Sequence, residues 1–96
     1  MVETHIVHDP DGPDIQFEGE LIAEQQSAQL GNVKVYRTRS GKLVVAQHRN
    51  RVRQSPAISR VAVFDEMDEL PKWLGHSLSA KSLMDELGYP VRRIVE

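Results

Sequence analysis

The sequence predicts an α+β domain: an antiparallel β-meander of four to six strands, with one or two C-terminal helices packed on one face. Three observations lead there. Apolar residues alternate with polar ones from Ile15, and short apolar stretches of strand length recur at Val33 to Thr38, Leu43 to His48 and Ile58 to Phe64. Clusters rich in Gly, Pro, Asp and Ser separate those stretches. After Asp65 the apolar spacing lengthens to three and four residues, as in Leu70, Trp73 and Leu74, then Leu83, Met84 and Leu87. The 96 residues suit one domain with one core, residues 1–14 being partly irregular.

The elements follow in order. Thr4 to Val7 can form a short first strand, which Asp9-Pro-Asp-Gly-Pro-Asp14 then halts with turn chemistry. From Ile15, strict alternation sets Ile15, Phe17, Gly19, Leu21 and Ala23 on one side and Gln16, Glu18, Glu20, Ile22 and Glu24 on the other. Gln25 to Gly31 reads as a loop, Val33 to Thr38 as a strand and Leu43 to His48 as its hairpin partner. Arg39-Ser-Gly-Lys42 makes the turn between them, Gly41 accepting the positive φ of a tight hairpin. Arg49 to Pro56 is basic and unpatterned, and Ile58 to Phe64 is a further strand.

Asp65 can cap a helix, with Asp68 three residues on as its partner, while Pro71 marks a kink or a new helix start. Ser77 or Ser79 can cap the second helix, which Gly88 closes ahead of Pro90. Val91 to Val95 reads as a last short strand.

Composition excludes several classes. Cysteine is absent, so disulfide scaffolds and thiolate zinc modules are ruled out. No apolar run reaches the roughly 20 residues of a membrane helix. Met1-Val2-Glu3-Thr4 lacks a signal-peptide pattern, and cytoplasmic residence is the expectation.

The net charge of −2 conceals strong segregation. Residues 1–24 hold seven acids and no Lys or Arg, residues 25–64 hold eight bases and no acid, and residues 65–96 hold seven acids and four bases. Two readings of this pattern stand side by side. In one, the hairpin and the loop after it form a basic surface of Arg37, Arg39, Lys42, Arg49, Arg51 and Arg53 that grips a partner. In the other, the acidic strand neighbours the basic one and the charges pair across the ladder, worth a few tenths to ~1 kcal/mol each. Pairing absorbs strand residues such as Lys34 more easily than the loop arginines.

Chemistry-bearing motifs are missing. The chain has no Gly-x-Ser-x-Gly elbow, no Gly-rich phosphate loop and no His-Glu-x-x-His zinc pattern. His5 and His8 would face opposite sides of an extended segment, and the Asp9–Asp14 stretch lacks calcium-loop spacing. Glu18 and Glu20 are paired carboxylates, but a basic neighbour favours their charged form and disfavours acid catalysis. The two-helix segment invites comparison with a helix-turn-helix, yet Asp85 and Glu86 on its second helix would repel phosphates. Trp73 is expected near the core. Catalysis, metal binding and cofactors are therefore not expected.

Phe17-Glu-Gly-Glu-Leu-Ile-Ala-Glu24, Val35-Tyr-Arg-Thr-Arg-Ser-Gly-Lys-Leu-Val44, Val63-Phe-Asp-Glu-Met-Asp-Glu-Leu-Pro71 and the end from Val91 to Glu96 together resemble the C-terminal portion of the bacterial EXLDI family. The likeness spans residues 15–96, without the family's eponymous ending (here Arg92-Arg-Ile-Val-Glu96) or its N-terminal helical region. It implies a small bacterial protein and brings no chemistry. The expected function is a non-enzymatic interaction or regulatory module that binds a protein through the basic hairpin and arginine-rich loop. The alternative is a nucleic-acid binder using the same surface, opposed by a pI of about 6.1 and few aromatic residues. A sheet edge offers a route to a homodimer.

Overall fold

A computed structural model of the chain describes residues 3–28, 30–51, 54, 56–75 and 77–89. The alternating segments become five strands: β1 (Glu3–Val7), β2 (Ile15–Ser27), β3 (Gly31–Thr38), β4 (Leu43–Arg49) and β5 (Ile58–Phe64). Two helices follow, α1 (Glu69–Leu74) and α2 (Leu78–Glu86). The strands pair antiparallel in chain order, so the α+β meander is as the sequence predicts. The last strand expected at Val91 to Val95 lies outside the described residues.

Local chemistry fixes the central hairpin. The Gly41 N–H donates to the Thr38 carbonyl at 3.0 Å, and the Thr38 N–H to the Lys42 carbonyl at 2.8 Å. Gly41 has φ 90°, which completes a type I turn with a glycine bulge. The Thr38 hydroxyl also accepts the Lys42 N–H at 3.0 Å. With this turn set, Arg37 falls opposite Leu43 and Tyr36 opposite Val44.

Strand β2 departs from the sequence pattern twice. It runs on through Gln25 and Gln26 to Ser27, where a loop was expected, because β3 supplies partners for those residues at Val33, Asn32 and Gly31. Polar side chains do not end a strand whose backbone groups are paired. Alternation also fails at one position: Leu21 pairs with Tyr36 and Ala23 with Val35, leaving Ile22 unmatched in a bulge. The extra residue turns Ala23 to the opposite face from Ile15, Phe17, Gly19 and Leu21, correcting strict alternation.

One face carries the main core. Val33, Val35, Leu43 and Val45 from the sheet pack with Leu70, Leu74, Leu83 and Met84 from the helices. In α2 the buried side chains fall at helical spacing, Ala80, Leu83 and Met84. The Ser77 hydroxyl caps α2 by accepting the Ala80 N–H at 3.1 Å. At the other end Gly88 N–H reaches the Asp85 carbonyl and Tyr89 N–H the Met84 carbonyl, the paired bonds of a Schellman closure.

Helix α1 begins at Glu69, later than the cap at Asp65 implies. The Glu69 carboxylate accepts the N–H groups of Asp65 and Glu66, each at 3.1 Å, and organises the turn ahead of the helix. Pro71 sits in the first helical turn, where no intrahelical donor is lost.

Among the described residues no helix lies over the opposite face. Val7, Tyr36 and Val44 form a second buried cluster there, flanked by Phe17, Ala46 and Val61. The His5 and Tyr36 rings lie 4.9 Å apart, although their strands are separated by β2 and their register partners, Phe17 and Leu21, are four positions apart. Only strong coiling brings them together. The β1–β2 ribbon therefore curls over this face and covers part of it. Gly19 lies at the crossing: a Cβ there would meet the Arg37 carbonyl oxygen.

A polar relay ties sheet to helix. Gln47 is 3% exposed; its amide donates to the Leu30 carbonyl at 2.8 Å and its oxygen accepts from Arg60 Nε at 2.6 Å. Arg60 donates onward to the Trp73 carbonyl at 3.2 Å and lies 3.9 Å above the Trp73 ring, which meets Phe64 edge-on at 5.8 Å.

Two outcomes are expected from these contacts. Gly19→Ala should lower stability by about 1–3 kcal/mol, because the backbones must part to admit a methyl group. Gln47→Leu should cost about 1–3 kcal/mol, since it keeps the volume but strands the Leu30 carbonyl. Urea denaturation measures both, and wild-type midpoints would refute either assignment.

Candidate functional site

Among the described residues, the basic side chains singled out from the sequence do not gather on one surface. Arg37 is exposed and pairs in register with Glu20, on the face that carries the helices. Arg39 and Lys42 sit at the tip of the β3–β4 hairpin. Arg49 and Arg51 lie at the far end of β4, and Arg53 lies outside the described residues. The seven residues of β4 span about 20 Å at roughly 3.3 Å per residue. Among the described residues the cations of the hairpin tip and those that follow β4 thus lie in two separate groups.

Most of these cations already face an acceptor. Arg39 Nη1 is 3.2 Å from the Glu18 carboxylate, and its N–H donates to the Glu18 carbonyl at 2.8 Å. Lys42 Nζ is 3.7 Å from Asp65, and Lys34 Nζ is 4.0 Å from Glu24. Arg49 donates to the Pro56 carbonyl at 3.0 Å. The acidic strand β2 thus answers the basic strand β3 across the ladder, and Lys42 finds a carboxylate from beyond β5. All these ion pairs are solvent-exposed, so each holds its partners weakly.

What gathers at the hairpin tip is a mixed groove of about 500 Å³. Ile15, Phe17, Val44 and Val63 give it an apolar floor, and Thr38, Arg39, Ser40 and Lys42 give it a polar, cationic rim beside Glu18. Strand β2 lines one side, β4 and β5 the other, and the β3–β4 turn closes the end. Val63 is 48% exposed, so the floor stays wet on the β5 side. Charge and motif reasoning finds the rim and misses the floor. The signal for the floor is the unbroken apolar run Leu43-Val-Val-Ala46 and the sequence Val61-Ala-Val-Phe64, which put apolar side chains on both faces of the sheet.

The histidines are separated. His5 stacks on Phe17 at 5.4 Å, with its buried Nε2 lacking a hydrogen-bond partner. His8 Nδ1 lies 2.9 Å from Asp14. The Asp9–Asp14 stretch is a turn, in which Asp9 Oδ1 accepts the Asp11 N–H at 2.9 Å. Among the described residues no group of three His, Asp or Glu side chains is placed to hold a metal ion. Burial lowers the pKa of Arg60 from the ordinary guanidinium value, and the residue stays charged at neutral pH.

No family model, curated protein or solved structure matches the chain.

Because the rim ion pairs are exposed, Glu18→Gln and Asp65→Asn should each change stability by less than about 1 kcal/mol. Thermal unfolding checks this; a larger loss would make these pairs structural anchors rather than exchangeable contacts.

Proposed function

We propose that this chain is a small, non-enzymatic bacterial interaction module of the cytoplasm that binds a protein partner at the groove beside the β3–β4 hairpin. The observation that carries this reading is an apolar floor without a helical cover, bordered by two cations on exposed side chains. A groove so built suits an extended segment that places an aliphatic or aromatic side chain on Val63 and Phe17 and a carboxylate against Arg39 or Lys42. The partner's carboxylate replaces Glu18 or Asp65, so no cation is left without a counter-charge. Thr38 and Ser40 offer hydroxyls to its backbone. Arg49 and Arg51 lie at the other end of β4, within reach of a partner large enough to span both ends. The resemblance to the EXLDI family adds the bacterial setting.

Selection from a displayed peptide library tests the proposal. Retained peptides should combine an apolar residue with Asp or Glu, and Arg39→Glu with Lys42→Glu should weaken their binding at least tenfold while leaving thermal unfolding in place. Undiminished binding would overturn the assignment. A gel-shift complex with nucleic acid that dissolves steeply with salt would transfer the same cations to the alternative reading.

A further inference from the structure

The outer edge of β5 carries a second, independent message. Among the described residues no strand pairs beyond it, so alternate N–H and C=O groups of this strand face outward. Such edges are normally blunted by short length, proline, lysine, inward charges or bulges. The opposite edge, β1, is blunted: it has five residues, opens on Glu3 and runs into Asp9-Pro10.

β5 lacks the proline, the lysine and the bulge, and is longer than β1. Its seven residues, Ile58-Ser-Arg-Val-Ala-Val-Phe64, include no proline, acid or lysine. Its pairing with β4 is regular from Ile58 to Phe64. Its one charge, Arg60, points inward, and its guanidinium is already held by Gln47 and Trp73, so it presents no unmet charge to an added strand. Val63, 48% exposed, and the half-buried Val61 extend an apolar strip along the face that the helices leave bare.

We propose that β5 pairs antiparallel with β5 of a second copy about a two-fold axis, joining two meanders into one continuous sheet. The strand is suited to its own image. A register centred on Val61 sets Arg60 opposite the partner's Ala62, and one centred on Ala62 sets it opposite the partner's Phe64, so no cation opposes a cation. The valines then meet valine or serine across the axis. A basic foreign strand finds no acid on β5, and an acidic one finds its one cation, Arg60, already held by Gln47 and Trp73, whereas an identical strand needs no charge partner. Val63 also belongs to the floor of the hairpin groove, so pairing closes the wet side of that floor against the second copy. Pairing through β5 does not require peptide binding at the groove, although the two surfaces share Val63.

Sedimentation of the full chain at submillimolar concentration should give twice the 10.9 kDa chain mass. Ser59→Lys with Val63→Lys places lysines on the bare face of the edge and should return the chain to the monomer mass with its circular dichroism unchanged. Ile6→Lys on β1, at a position 68% exposed, should leave the doubled mass intact. A wild-type chain that sediments as a monomer overturns the proposal, as does a double-lysine variant that keeps the doubled mass or an Ile6→Lys variant that loses it. Should the lysine pair disturb folding, hydrogen exchange of the wild-type chain decides: the β5 amides left free by β4 should exchange more slowly as concentration rises, and concentration-independent exchange overturns the pairing.

Discussion

A sheet has two faces, and this chain carries helices for one of them. That constraint organises the molecule. Helices of six and nine residues cover Val33, Val35, Leu43 and Val45 and extend no further. The second face still bears Tyr36, Val44 and Val61, whose burial removes apolar surface from water at roughly 25 cal/mol per Å². The chain meets that need with the sheet itself, coiling the β1–β2 ribbon until His5 and Phe17 lie on Tyr36. Among the described residues coverage stops short of β5, and the groove and the outer edge of that strand are the surfaces from which an interaction can be built.

The segregation of charge along the sequence is largely converted into neighbourhood in space. In a meander, consecutive strands touch, so an acidic strand followed by a basic one places opposite charges side by side without long-range design. Glu24 with Lys34 and Glu18 with Arg39 are the result. These contacts contribute modestly to stability because water reaches them. Their larger effect is on register, since a slip of one residue would carry Lys34 away from Glu24 and the valines of β3 out of the core.

The fold was legible where the signal is local. The Asp9–Asp14 turn, the Gly41 hairpin, the Ser77 cap and the Gly88 closure each rest on the chemistry of a few adjacent residues, and each places an element boundary. The bulge at Ile22 was harder to read: Leu21-Ile-Ala23 interrupts the alternation, but which residue is left over depends on the strand opposite. The extension of β2 through Gln25 and Gln26 likewise depends on β3. The candidate site divides in the same way. Arg39 and Lys42 are conspicuous in the sequence, whereas their separation from Arg49 and Arg51 follows from the length of β4. Ile15 meets Val44 and Val63 in one groove only because the sheet coils, a property of the whole assembly rather than of any segment.

The indole of Trp73 lies between the cation of Arg60 and the ring of Phe64, where α1 meets the last strand. It is the sole tryptophan in the chain. Its ultraviolet emission is therefore a built-in optical gauge of the seam between helical layer and sheet, able to distinguish peeling of that layer from collapse of the strands beneath it.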